Sequence, residues 1–239
     1  MRTEILGVSF DNISMDEAVE SVLTAMKSHD GITVVTPNPA MLLRCCKDPT
    51  LADAVNAADI SLADGAGVLW AARFLRKKLC YRVPGADFAL ELLNRMNGRV
   101  FIFGGRPGVG ERAAECIRAL NPQITECAVC DGYTTEVNVA VSRIADFAPD
   151  FLMVCLGMPE QEMFLYNHRN ELHFGVAAAL GGTVDVLAGD RKRAPRFIRR
   201  LGLEWLWRAF TVPGKFLALP HIPKFMWLVF KEKKCQTAS

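Results

Sequence analysis

Short runs of apolar, β-favouring residues recur along this chain, and most end in glycine, or in small polar residues beside proline, directly before a helical pattern. The runs fall at 32–36, 59–63, 100–103, 124–130, 151–156 and 174–180. Phe151-Leu-Met-Val-Cys-Leu156 is typical: it is apolar throughout, without the alternation of a strand that has one face in water. Such a strand is covered by other elements on both faces. Between the runs, helices are predicted at 39–47, 50–57, 66–76, 85–97, 108–120, 135–147, 159–171 and 183–188. Regular alternation of this kind predicts an α/β fold: a mostly parallel, doubly wound sheet with helices on both faces. Ahead of it, segments 4–6 and 8–13 read as a hairpin turning near Gly7. Ser14-Met15-Asp16-Glu17 reads as a capping box that opens a helix to about Ser28.

In such a sheet, ligands bind beyond the carboxyl ends of the strands. Those ends read Thr36-Pro37-Asn38-Pro39, Asp64-Gly65-Ala66-Gly67, Gly104-Gly105-Arg106-Pro107-Gly108, Gly157-Met158-Pro159-Glu160-Gln161-Glu162 and Gly181-Gly182-Thr183-Val184-Asp185. One such turn is commonplace, whereas five on one rim exceed what turn chemistry alone requires. Each still has a structural reading beside a functional one. Asp64 is either an N-cap of the next helix or a general base that takes the proton of an attacking sugar hydroxyl. Thr36 and Asn38 either end a strand and start a helix with Pro39 at its first position, or hydrogen-bond sugar hydroxyls and an acetamido group. Gly104 and Gly105 form a tight turn or contact a phosphate at a helix N-terminus. Their spacing is not that of a dinucleotide fingerprint. Gln161 and Glu162 are either first-turn residues favoured by the helix dipole or part of a binding pocket. Arg82, before Val83-Pro84-Gly85, is a solvated loop cation or a phosphate ligand.

Charge divides the chain. Residues 191–239 hold twelve Lys and Arg against Glu204 and Glu232, a balance of +10, while the total of +2 leaves 1–190 at −8. The basic segment also carries Trp205, Trp207 and Trp227 among Phe210, Phe216, Phe225 and Phe230. Aromatic rings interleaved with cations suit the interface of an anionic membrane. Pro213, Pro220 and Pro223 are expected to break this stretch into short pieces. The boundary predicts a core over 1–195 and a membrane-associating helical appendage over 196–239.

Hydrophobic residues make up 51% of the 239 positions, enough for a packed core, so wholesale disorder is excluded. No apolar stretch is long enough for a simple transmembrane helix, and Met1-Arg2-Thr3-Glu4 lacks the apolar run of a signal peptide. The eight cysteines lie mostly in apolar runs, and Cys127-x-x-Cys130 has no second pair at zinc spacing. Reduced, largely buried thiols and a cytoplasmic protein, peripheral on the inner face of the membrane, are expected. No D-x-D is present, so no metal anchor and no cofactor are expected; the departing diphosphate would rely on arginines, lysines or helix N-termini.

In this order and at these spacings, the motifs resemble the WecG/TagA/CpsF glycosyltransferase family. The resemblance runs from about Ile5 to Pro220. It is carried by Thr36-Pro-Asn38, Ala63-Asp-Gly-x-Gly67, Arg82-Val-Pro-Gly85, Phe103-Gly-Gly105, Gly157-x-Pro-x-Gln-Glu162, Gly181-Gly182 with Asp185, and Arg193-Ala-Pro195 followed by Leu203-Glu-Trp205 and Arg208. It implies a Rossmann-like core with a C-terminal appendage that meets the membrane. It also implies inverting, metal-independent transfer of N-acetylmannosamine from its UDP form to N-acetylglucosaminyl-diphospho-undecaprenol, as in teichoic acid linkage units. By motif, Asp64 would be the base. Thr36, Asn38, Arg82, Gly104, Gly105, Gln161, Glu162 and Gly182 would line the substrate site, and Arg208 would reach the diphosphate.

The implied partners are a UDP-sugar donor, a polyprenyl-diphosphate-linked acceptor and an anionic membrane surface; no nucleic acid is expected, and a homo-oligomer is left open. Two departures stand out: Lys215-Phe216-Leu217-Ala218 replaces an arginine-rich stretch, and Thr134 follows Gly132-Tyr133. Alternative readings are transfer of another UDP-hexose, such as glucose or N-acetylmannosaminuronic acid, a nucleotide-binding oxidoreductase, and a non-catalytic membrane adaptor.

Overall fold

The computed structural model describes residues 2–28, 31–191, 193–195, 198, 202, 204, 206, 207 and 221–238. Chain order begins with a hairpin, β1 (Arg2–Ile5) and β2 (Val8–Asp11), then helix α1 (Met15–Ser28). There follow β3 (Ile32–Val35), α2 (Pro39–Cys45), α3 (Pro49–Asn56), β4 (Ile60–Ser61), α4 (Ala66–Phe74) and α5 (Gly85–Arg95). Next come β5 (Gly98–Gly104), α6 (Val109–Leu120), β6 (Ile124–Cys130), α7 (Val137–Phe147) and β7 (Phe151–Cys155). The last elements are α8 (Glu160–His168), β8 (Val176–Ala179), α9 (Thr183–Leu187) and α10 (His221–Ala238).

Among the described residues, six strands form one sheet in the order β4-β3-β8-β7-β5-β6, with every pairing parallel. The hairpin is a separate antiparallel pair. Local chemistry agrees with the global pattern. The capping box is reciprocal, with the Ser14 N–H donating to Glu17 Oε2 at 2.7 Å and the Glu17 N–H to Ser14 Oγ at 3.3 Å. Two backbone donors at the start of α1 are thereby satisfied. Asn121, itself buried, donates from its side-chain amide to the carbonyls of Leu93 (2.8 Å) and Met96 (2.7 Å), closing the end of α5.

The continuous apolar runs are explained by two cores, one on each face of the sheet. Leu152 and Val154 of β7 join one cluster with α2, α3, α4, α7 and α8. Phe151, Met153 and Cys155 of the same strand join the other, with α1, α5 and α6. Side chains that alternate between two buried faces leave no polar position in the strand.

The C-terminal segment departs from the expected short pieces where it is described. Residues 221–238 form one helix. Pro223 stands in its first turn, where the missing N–H would have no partner inside the helix, so the ring does not interrupt it. Phe225 and Val229, one turn apart, are buried in the core cluster that contains α2 and α4. Glu232 fixes the same face: its carboxylate accepts from the Leu6 N–H at 2.9 Å and from Lys77 Nζ at 2.5 Å. The opposite face exposes Met226, Trp227 and Phe230. Of the eight cysteines, Cys45, Cys130 and Cys155 are buried and Cys127 is half-buried, while Cys46, Cys80, Cys116 and Cys235 are exposed. The largely buried set expected from the sequence is therefore not what the fold gives: Cys116 and Cys235 lie on helix surfaces, Cys46 just past the end of α2 and Cys80 in the loop before α5.

Candidate active site

Parallel strands put all their carboxyl ends on one rim, and β3, β4 and β8 are neighbours there. A cleft of about 80 Å³ opens at this point, with Thr36, Asp64, Gly85, Gly182, Arg191 and Arg193 in its wall. The chain reaches it from five separate stretches, at Thr36, Asp64, Gly85, Leu180 to Arg193, and Glu204. Thr36 follows β3, and its hydroxyl donates to the Ala179 carbonyl of β8 at 3.4 Å. Gly85 opens α5 directly against it: a Cβ there would sit 2.8 Å from Thr36 Oγ1. This glycine is required by the close approach of α5 to the strand end.

Asp64 lies between β4 and α4. Its N–H donates to the Pro37 carbonyl at 3.1 Å, which ties the two strand-end loops together. The N-cap of α4 is Gly65, at φ +107°, with no side-chain cap hydrogen bond. Asp64 is therefore not the cap that one reading of the sequence made it. Asn38 is a cap: its Oδ1 accepts from the N–H groups of Ala40 (2.9 Å) and Met41 (3.1 Å), with Pro39 at the first helical position. Its carbonyl oxygen is thus engaged in opening α2. Arg82 is half-buried, and the adjoining Val83 N–H donates to the Ala63 carbonyl at 2.9 Å, holding the Arg82 loop beside Asp64.

Gly104 and Gly105 stand at the end of β5, separated from β8 by β7, and do not line this cleft. The Gly105 N–H donates to the Cys155 carbonyl at 3.3 Å, and a Cβ at Gly104 would fall 2.3 Å from the Cys155 carbonyl carbon. The close approach of β7 is enough to require a glycine at 104. Gln161 and Glu162 are buried at the start of α8. Gln161 Oε1 accepts from the Gly181 N–H at 2.7 Å, and Gln161 Nε2 donates to Glu162 Oε1 at 2.7 Å. Burial pushes the Glu162 carboxyl up to about 7. Both stand in the first turn of α8 as expected, but buried, and Glu162 lines a different cleft, beside Thr33, Tyr166 and Arg169. Arg208 lies outside the described residues.

Two arginines not expected at the site are part of the cleft: Arg193, which belongs to one of the family-like motifs, and Arg191, which belongs to none. Arg191 Nη2 lies 3.2 Å from Asp185 Oδ2 and packs over Gly182, where a Cβ would meet Arg191 Nη1. Arg193 Nη2 lies 2.6 Å from Asp87 Oδ1. That contact is an ion pair without hydrogen-bond alignment, and Arg193 Nε is buried with no hydrogen-bond partner among the described residues. A buried guanidinium with an unused N–H is costly unless a ligand takes it up. Glu204 adds a second carboxylate to the wall. The signal for Arg193 was the Arg193-Ala-Pro195 motif; Arg191 carried none beyond its place in the basic run. A carboxylate and two guanidiniums in one cleft can accept a proton and hold a di-anion. Among the described residues, no group of three His, Cys, Asp or Glu side chains could hold a metal ion.

The family model described as glycosyl transferase WecG/TagA/CpsF matches residues 3–239. The chain belongs to this family. Among its relatives, the N-acetylglucosaminyldiphosphoundecaprenol N-acetyl-beta-D-mannosaminyltransferase of Staphylococcus aureus strain MRSA252 is 34% identical over 239 residues, covering 98% of this chain and 94% of that protein. The protein of the same name from strain NCTC 8325 / PS 47 has the same identity and coverage. Both matches run through the basic C-terminal segment, so the cleft and α10 belong to one glycosyl transferase chain. No helix among the described residues is long and apolar enough to cross a membrane.

Proposed function

We propose that this glycosyl transferase moves N-acetylmannosamine from its UDP form onto N-acetylglucosaminyl-diphospho-undecaprenol, with inversion at the anomeric carbon. The observation that carries this reading is the cleft that joins Asp64 and Thr36 to Arg191 and Arg193. Asp64 accepts the proton of the acceptor hydroxyl as that oxygen attacks the anomeric carbon. The bond from that carbon to the UDP phosphate breaks, and the electron pair leaves with UDP. Arg191 and Arg193 offset the charge that grows on the leaving diphosphate, since a guanidinium grips two oxygens at once. Thr36, Asn38, Arg82, Gln161 and Gly182 shape the sugar and phosphate pockets, and Arg208 approaches the diphosphate from the appendage. The names of the relatives support the sugar and the lipid acceptor.

Residues 1–195 act as the catalytic core and 196–239 as an appendage that holds the enzyme on the inner face of an anionic membrane, where its acceptor resides. Trp227 and Phe230, exposed beside Lys231 on α10, suit an interfacial docking face. The test is incubation of purified protein with a panel of UDP-sugars and a short-chain acceptor lipid. Preferred use of UDP-N-acetylmannosamine is expected. Preferred use of UDP-glucose or of the mannosaminuronic acid donor would overturn the choice of sugar, and no transfer from any of them would overturn the reading.

A further inference from the structure

The wall of the Asp64 cleft depends on a turn that is held from behind. Gly182 lines the cleft, and its neighbour Gly181 has a left-handed backbone at φ +51°. The Gly181 N–H is a donor only, so the Gln161 atom that meets it at 2.7 Å must be the carbonyl oxygen. The amide nitrogen of Gln161 then necessarily faces Glu162 and must find an acceptor there. Glu162 Oε1 is that acceptor at 2.7 Å, and both side chains are buried. The other carboxyl oxygen, Oε2, is buried with no hydrogen-bond partner among the described residues. Among the described residues, the Gln161 amide is the side-chain group that donates to this carboxyl, and it ties Oε1 to the Gly181 turn.

We infer that Glu162 is a positioning residue for glycosyl transfer: through the Gln161 amide it fixes the Gly181–Gly182 turn that walls the Asp64 cleft. The role needs an acceptor oxygen at Oε1 and not a negative charge, because the carbonyl oxygen of a neutral carboxyl accepts as well. Burial, which pushes this carboxyl up to about 7, keeps the neutral acid populated in the neutral range. Without the acceptor, the Gln161 nitrogen is a buried unsatisfied donor, and the amide turns away or rotates. Either movement releases the Gly181 N–H and lets the turn drift into the site. Misplacement of about 1 Å at a reacting site costs up to roughly 100-fold in rate.

The inference rests on the transfer reading above, so its test includes a readout independent of activity. Hydrogen exchange of the Gly181 amide, followed by NMR, is compared with kcat in wild type, Glu162→Gln and Glu162→Leu. Glu162→Gln keeps a carbonyl oxygen and is expected to retain Gly181 protection and kcat within about 3-fold. Glu162→Leu is expected to speed Gly181 exchange at least about 10-fold and to lower kcat by roughly 10- to 100-fold. Gln161→Met, with Glu162 intact, is expected to expose the Gly181 amide in the same way, and it serves if Glu162→Leu does not fold. Unchanged Gly181 protection in Gln161→Met or Glu162→Leu would overturn the inference, and so would an equal loss in Glu162→Gln and Glu162→Leu. Protection that follows this pattern in a protein without any transfer would uphold the clamp and refute the transfer reading alone.

Discussion

Replacing Glu162 by Gln is expected to remove a pH dependence of stability that one buried carboxyl imposes on the whole fold. The carboxyl has an ordinary value of 4.5 and is pushed up to about 7, chiefly by burial. The charges and titratable groups around it are Arg44 and Cys45 on α2, Glu160 and Tyr166 on α8, and Arg169 at the C-cap of α8. Of these, Glu160 opposes ionisation and Arg44 favours it, both less than burial does. A raised value means that the folded protein holds the proton more tightly than the unfolded chain. The contribution is fully present below pH 4.5 and is lost as the pH rises through about 7. At about 1.4 kcal/mol for each pKa unit, the loss across that window is roughly 3 kcal/mol. The assay is urea unfolding of wild type and Glu162→Gln at half-unit steps from pH 4.5 to 8.5. The stability of wild type relative to the variant should fall by roughly 3 kcal/mol, mostly between pH 5 and 7, and then level. Parallel curves for the two proteins would refute the buried, neutral carboxyl and with it the reasoning from burial.

Three further outcomes are expected. Transfer should survive EDTA in detergent, because the chain has no D-x-D and its described residues bring no ligand group together; complete loss restored by one divalent metal would overturn the arginine account. Phe225→Ala should cost about 3 kcal/mol or more, since the ring is 4% exposed and sits in the core under α10; urea unfolding checks it, and a cost below about 1 kcal/mol would mean that the helix is not anchored there. Trp227→Ser should weaken binding to anionic vesicles, read by co-sedimentation, without lowering thermal stability, since that ring is 60% exposed; unchanged binding would remove Trp227 from the docking face.

The fold was largely legible because its signals are local or periodic. Unbroken apolar runs at 100–103 and 151–156 need two covered faces, and both faces are covered by helices. The capping box at Ser14 and Glu17 needs nothing beyond its own turn. Asp64 and Thr36 were legible as strand-end residues for the same reason, and a parallel sheet brings strand ends together. What was not legible depends on where a side chain points once distant elements meet. Arg191 looks like any other member of a basic cluster, and Arg193 like part of a motif without a stated role, until Asp185 and Asp87 approach them. Glu162 reads as a first-turn acid, and only the packing of α8 against β8 and α3 buries it. Asn38 reads equally as cap or sugar ligand, and the geometry of α2 commits its oxygen to the helix. Pro223 signals a break in the sequence, yet it falls in the first turn of α10, where it does none.

The central claim is that a carboxylate in this cleft draws the proton from an acceptor hydroxyl during transfer of an N-acetylmannosaminyl group. Its most direct test measures single-turnover transfer from UDP-N-acetylmannosamine to N-acetylglucosaminyl-diphosphoryl lipid by wild type and Asp64→Asn. The variant should fold normally, bind UDP as tightly as wild type, and transfer at least about 100-fold more slowly, the lower scale for a positioned general base. Transfer by Asp64→Asn within a few-fold of wild type would contradict the account.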